Sequence, residues 1–301
     1  MKFIATSDWH VRASSPKYRV DEYSESILNK IGFIVRTANK NNCPILVAGD
    51  IFHNIRVGTR IINKLTRVLK KCKNPIYAVP GQHDLEHHAE DLTPTPFLSL
   101  IHSDVITHLG TNSINNVYGL GWGEEPPKDG NICTDDNSIL VLHYCTTPGD
   151  PAFFLEDNAL SAEDILKSFP EFKIIITGDY HTPHVFEKNG RLLINPGCIG
   201  RSNKDQKNFQ PVIYLVDTEA VTAKEIKVPV RPSEEVFKIP ENEDALDKSF
   251  SDHIEQILKS STNEEEKPDF ITTVRRIMKK GKYTKRQMEI AEQFYNESRE
   301  V

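Results

Sequence analysis

Six short apolar runs, at residues 2–7, 44–48, 75–79, 138–142, 173–177 and 192–194, recur along the first two thirds of the chain. A strand with one wet face alternates apolar and polar residues, so near-continuous runs of this length read as strands covered on both faces. Between them, residues 25–38 and 59–72 carry apolar side chains at helical spacing. In the second stretch, Ile61, Ile62, Leu65, Val68, Leu69 and Cys72 share one face. Ser161 followed by Asp164 marks another helix start. Two further β-rich stretches, 211–217 and 221–228, read as a strand pair completing one sheet. The pattern predicts an α/β fold.

Each run is followed closely by residues that ligate metals or cap turns. In order these are Asp8-Trp9-His10, Gly49-Asp50-Ile51-Phe52-His53, Gly81-Gln82-His83-Asp84, His143, Gly178-Asp179-Tyr180-His181 and Asn195-Pro196-Gly197. Open α/β sheets bind ligands outside the carboxyl ends of their strands, so the six motifs converge on one crevice. Singly, an Asp-x-His reads as a turn cap and His143 as a hydrogen-bonded core histidine; it is the recurrence in one register that points to a shared site. Carboxylates, imidazoles and an amide suit divalent cations. The five cysteines, Cys43, Cys72, Cys133, Cys145 and Cys198, form no CxxC pair, which argues against a disulfide framework and a closed zinc site.

Asp-x-His, Gly-Asp, Gly-Asn-His-Asp, a strand-end His and Gly-His-x-His are the signature of the calcineurin-like metallophosphoesterases, which residues 1–200 resemble. The resemblance implies a two-sheet β-sandwich flanked by helices and holding two metals. Asp8, His10 and His181 would hold the first metal, Asp50 would bridge, and Gln82, His143 and Asp179 would hold the second. Two positions depart from the family form: Gln82 replaces Asn, and Asp179 replaces the first His of Gly-His-x-His. Both fall on the second metal and enrich it in oxygen, which favours Mn²⁺ or Mg²⁺ over Zn²⁺. His83 would stabilise the transition state or protonate the leaving oxygen, with Asp84 orienting its ring.

Within that superfamily the first two motifs are most similar to the nuclease subunit of the SbcCD type, a double-strand-break repair exonuclease. His53 matches the position implicated there in exonuclease action on DNA ends. Between Ile51 and His83 there are seven bases and no acids. Arg60, Lys64 and Arg67 fall at helical spacing opposite the apolar stripe, a candidate track for a phosphate backbone. They read equally as a solvated helix face. Asn195 joins them as a substrate-binding candidate. Two other readings of the same residues are a phosphodiesterase or phosphatase for small phosphoesters, and a scaffold that has lost catalysis, like the superfamily's retromer subunit.

Residues 1–230 are expected to form the phosphoesterase domain, and residues 231–301 an acidic linker and a helical extension. Helical patterns cover 244–260, 268–280 and 284–298, and the resemblance implies that they dock on an SbcC-like coiled-coil ATPase. A homodimer through residues 86–101 follows from the same source. The net charge of −6 seems to oppose a nucleic-acid partner, but residues 232–269 hold twelve acids and four bases, which leaves the rest of the chain at +2. DNA is therefore retained as a partner. No run approaches the ~20 apolar residues that span a bilayer, and Met1-Lys2-Phe3 leads directly into a strand, so the expectation is a cytoplasmic protein without a membrane partner.

Overall fold

The computed structural model describes residues 1–86, 91–124, 138–151, 155 and 158–238. In chain order its elements are β1 (Lys2–Thr6), α1 (Tyr23–Asn41), β2 (Ile45–Ala48), α2 (Thr59–Leu69), β3 (Ile76–Val79), α3 (Pro96–His102), β4 (Thr107–His108), β5 (Val117–Leu120), β6 (Ile139–Leu142), β7 (Thr146–Thr147), β8 (Leu160–Ser161), α4 (Ala162–Ser168), β9 (Ile174–Thr177), β10 (His184–Lys188), β11 (Arg191–Asn195), β12 (Val212–Asp217), β13 (Thr222–Lys227) and α5 (Ser233–Val236).

Two sheets stack face to face. One runs β13-β12-β1-β2-β3-β4 and the other β10-β11-β9-β6-β5. The β1-β2-β3 and β9-β6-β5 ladders are parallel. The reason for uniformly apolar strands is visible in their parity. Phe3, Ala5, Leu46, Ala48, Tyr77 and Val79 meet Ile139, Val141, Ile174, Ile176, Leu192 and Ile194 between the sheets. The alternate residues Ile4, Ile45, Val47, Ile76 and Ala78 pack outward with α1, α2 and α3. On the other outer face, Leu140, Leu142, Ile175 and Leu193 pack with Ile165 and Leu166 of α4. Both strand faces are therefore dry, and alternation has nothing to report.

The helices follow from the same logic. Ile27, Ile31, Ile34 and Ala38 line the buried side of α1, and Ile61, Leu65 and Leu69 that of α2. The Ser161 hydroxyl accepts from Asp164 N at 3.1 Å and starts α4 as the sequence predicts. α2 stops at Leu69, short of Cys72, because the chain tightens into a turn in which Cys72 N donates to the Leu69 carbonyl at 2.8 Å. The packed unit also reaches past residue 230: Val236 is fully buried, Val20 N donates to its carbonyl at 3.1 Å, and Lys238 N donates to the Tyr18 carbonyl at 2.9 Å. The three helical patterns expected beyond residue 240 lie outside the described residues. So do residues 87–90 of the dimer segment, whose described part includes most of α3 and buries Phe97 and Leu100 in its own core. Among the described residues, no helix is long and apolar enough to cross a membrane.

Candidate metal centre

The motif residues leave their strands in a conformation that L-residues seldom adopt. Asp8, His10, Asp50 and Asp179 have φ of 49°, 46°, 52° and 74°. Such left-handed backbone costs of order 1–3 kcal/mol per residue and clusters at functional sites. Here it is held by cross-strand hydrogen bonds: Asp8 N donates to the Gly49 carbonyl at 3.1 Å, and His10 N to the Asp50 carbonyl at 2.9 Å. Gly49, at φ 85°, precedes Asp50, and a Cβ there would overlap the His143 ring. The glycine of the Gly-Asp motif is thus required both by its backbone angle and by the imidazole pressed against it.

These turns bring the predicted ligands together. His10 Nε2 lies 3.0 Å from His181 Nε2, 3.9 Å from Asp8 Oδ1 and 3.7 Å from Asp50 Oδ2. His181 Nε2 is 3.8 Å from Asp8 Oδ1. On the far side of Asp50, His143 Nε2 sits 3.7 Å from its Oδ1 and 2.6 Å from Gln82 Oε1, while Gln82 Nε2 donates to Asp179 Oδ1 at 2.6 Å. Asp8, His10 and His181 form one set of donor atoms lying within 4.8 Å of one another, and Asp8, Asp50 and His143 form a second. Asp50 stands between the two halves, 3.7 Å from His10 Nε2 on one side and 3.7 Å from His143 Nε2 on the other.

The electrostatics show what the centre is built for. Burial drives the Asp50 carboxyl well above the ordinary carboxylate range; the His143 imidazole pulls it down, whereas Asp8 and Asp84 push it further up. Burial, with His181, His83, His53 and His143 around it, holds His10 well below the usual imidazole value. Burial would lower His143 too, but Asp50, Asp8 and Asp179 outweigh it and raise its pKa. Among the described residues, the buried oxygens Asp8 Oδ2 and Asp50 Oδ2 have no hydrogen-bond partner. Buried carboxylate oxygens left without a partner are strongly unfavourable unless a cation completes them. The donor set therefore fits divalent metal. Its ligands are not left to swing: His143 Nδ1 donates to the Ala48 carbonyl at 2.7 Å, which turns Nε2 to the centre.

The remaining predicted residues divide. His53 and His83 stack beside the centre with ring centroids 5.5 Å apart and planes at 13°, and His83 Nε2 is 3.9 Å from Asp50 Oδ2. Asp84 does not orient the His83 ring. Its Oδ2 accepts from Gly81 N and Ile51 N at 3.0 and 3.1 Å, and its Oδ1 from Phe52 N at 2.8 Å, so it clamps the two motif loops together. Burial lowers the pKa of His83, and the neighbouring His53 backbone opposes that shift. Asn195 likewise is fully buried and structural: its amide donates to the carbonyls of Tyr180 and Thr182 at 2.6 and 3.2 Å, holding the loop that carries His181. Lys64 is ion-paired with Glu25 of α1, while Arg60 and Arg67 are exposed. Arg60 lies in the first turn of α2, and Arg67 about 10 Å farther along the helix. Arg12, two residues past the Asp-x-His motif, was not anticipated. Burial and Arg12 together lower His53 to a pKa of about 4.

Residues 1–220 match the calcineurin-like phosphoesterase superfamily domain. The DNA double-strand break repair protein Mre11 of Archaeoglobus fulgidus is 24% identical over 229 residues, which are 67% of this chain and 50% of that protein. The chain thus spans about half the length of this curated relative. Among solved structures, a novel archaeal phosphodiesterase is 17% identical with a TM-score of 0.43, over 75% of this chain and 99% of that one. Wild-type Vps29 complexed with zinc, from Entamoeba histolytica, is 14% identical with a TM-score of 0.33, over 76% and 100%. The domain match takes in every strand that carries a predicted ligand, and the chain belongs to the calcineurin-like phosphoesterase superfamily.

Proposed function

We propose that the protein is a metal-dependent phosphodiesterase that cleaves DNA, the nuclease subunit of an SbcD-type repair or recombination complex. The observation that carries this reading is the His53–His83 stack on the open side of the centre. His83 and His181 keep side-chain exposures of 41% and 42% while Asp8 and Asp50 are sealed beneath them. A phosphodiester approaching from solvent meets imidazoles first and the carboxylates last. The likeness to a double-strand break repair protein and the acid-free basic helix α2 support DNA as the substrate.

Asp8, His10 and His181 would hold one cation, His143, Gln82 and Asp179 a second, and Asp50 both; Mn²⁺ or Mg²⁺ suits this oxygen-rich set. Two such cations, when bound, lower the pKa of water and neutralise phosphoryl charge. His83 donates a proton to the leaving oxygen or a hydrogen bond to the developing charge, its ring stacked on the His53 imidazole. His53, stacked on His83 beside the centre, would contact the end of a duplex. An SbcC-like ATPase engaged through residues 239–301, a homodimer and a cytoplasmic setting complete the proposal.

The test is digestion of end-labelled duplex DNA by the full chain, with and without Mn²⁺ and with and without the ATPase. Mn²⁺-dependent shortening is expected, and His83→Ala should reduce it by about 10²–10⁴-fold while cation binding persists. Hydrolysis of bis-p-nitrophenyl phosphate without any DNA cleavage under all four conditions would overturn the nuclease reading in favour of a small-phosphodiester enzyme.

A further inference from the structure

The two residues that depart from the family pattern touch each other. Gln82 follows β3 in one sheet and Asp179 follows β9 in the other, yet Gln82 Nε2 donates to Asp179 Oδ1 at 2.6 Å. The chain of contacts continues from Gln82 Oε1 to His143 Nε2 at 2.6 Å, and from His143 Nδ1 to the Ala48 carbonyl at 2.7 Å. It crosses the crevice three times, linking the carboxyl ends of β2, β6, β3 and β9. A short bond to a carboxylate is charge-assisted and among the stronger hydrogen bonds available to a side chain. Its geometry depends on length: a long amide arm from one sheet meets a short carboxylate arm from the other. Among the described residues, the side chains of Gln82 and Asp179 make no hydrogen bond outside this chain of contacts.

We propose that Gln82 and Asp179 are one functional unit, an amide–carboxylate pair that positions the oxygen donors of the second divalent-cation position. Gln82 spends its amide N–H on Asp179 Oδ1, which turns the carboxylate so that Oδ2 is available to a cation. The Asp179 backbone N–H donates to Asp8 Oδ1 at 3.2 Å, which ties the pair to the first position as well. The proposal rests on the metal-centre reading above, but it makes a separate claim: the two substitutions depend on each other.

A reciprocal exchange of length tests it. Gln82→Asn shortens the amide arm by one methylene, Asp179→Glu lengthens the carboxylate arm by one, and the double variant restores the summed reach with the same two functional groups. Mn²⁺ binding to the full chain is measured by isothermal titration with spin counting of bound Mn²⁺. Each single variant should weaken the second Mn²⁺ about tenfold or more, the scale seen when a positioning partner of a ligand is lost, with the first Mn²⁺ unchanged within about threefold. The double variant should recover most of the loss. If the single variants bind like the wild type, or if the losses multiply in the double variant, the pairing is wrong. Should a single variant fail to fold, rescue of folding by the double is expected, and continued misfolding of the double counts against it. Wild-type protein that binds no Mn²⁺ at all would instead overturn the metal centre itself.

Discussion

At the residue scale, the ligands were legible because aspartate, histidine and glycine seldom recur together just past apolar strands. Asp8, His10, Asp50, His143 and His181 were readable as positions, and the structure gathers them into adjoining donor sets. What the sequence did not disclose is where a side chain spends its lone pairs. Asp84 directly follows His83, and adjacency suggested a carboxylate holding an imidazole. Backbone amides compete for the same oxygens, and three of them win. Asn195 makes the same point, since a strand-end amide serves a loop as readily as a substrate. This difference is measurable. Asp84→Ala strands three backbone N–H groups, so urea denaturation should show a loss of about 3 kcal/mol or more, at about 1–3 kcal/mol per unsatisfied buried group. His83→Ala, at a partly exposed position, should change stability by less than about 1 kcal/mol. If Asp84→Ala leaves stability intact and removes only activity, Asp84 orients the ring after all.

Among the elements, those with a dry face on each side or a clear helical stripe were legible, and three of the four edge strands of the two large sheets, β4, β5 and β10, were not. β10 is an edge strand whose Val185 is exposed, β4 has only two residues, and β5 carries Gly119 packed against Leu109. None presents an apolar run long enough to register. The basic face of α2 was visible in the sequence, but its use was not. The helix begins at Thr59, six residues past His53, so Arg60 follows the motif loop directly and Arg67 lies about two turns farther on. Lys64 is already paired with Glu25. Arg60→Ala is therefore expected to weaken duplex binding and to reduce the slope of log K against log salt by about one, the share of a single phosphate contact. Arg67→Ala should have a smaller effect. Equal effects in fluorescence-anisotropy titrations would mean that DNA lies along the whole helix.

For the molecule as a whole, two stacked sheets bring motif loops from both into one crevice, and the centre exists only where those sheets meet. That arrangement gives a role to buried carboxylate oxygens that no hydrogen bond satisfies. Asp50 is sealed with its carboxyl pushed toward the neutral form, and two carboxylate oxygens have no partner among the described residues. A core designed for itself alone would not keep them. The overall fold was predictable because each βα unit returns the chain to the same end of a parallel sheet, as the alternation of runs and helices implied. The boundary at residue 230 was not, because the return of residues 231–238 to pack Val236 against the core depends on contacts with residues 18–20 far away in sequence. The most direct check is the Mn²⁺ content of the purified full chain after equilibrium dialysis. A stoichiometry near two per chain, falling when Asp50→Asn removes the bridge, is expected. A value near zero for the wild type would contradict a dinuclear metal centre in this protein.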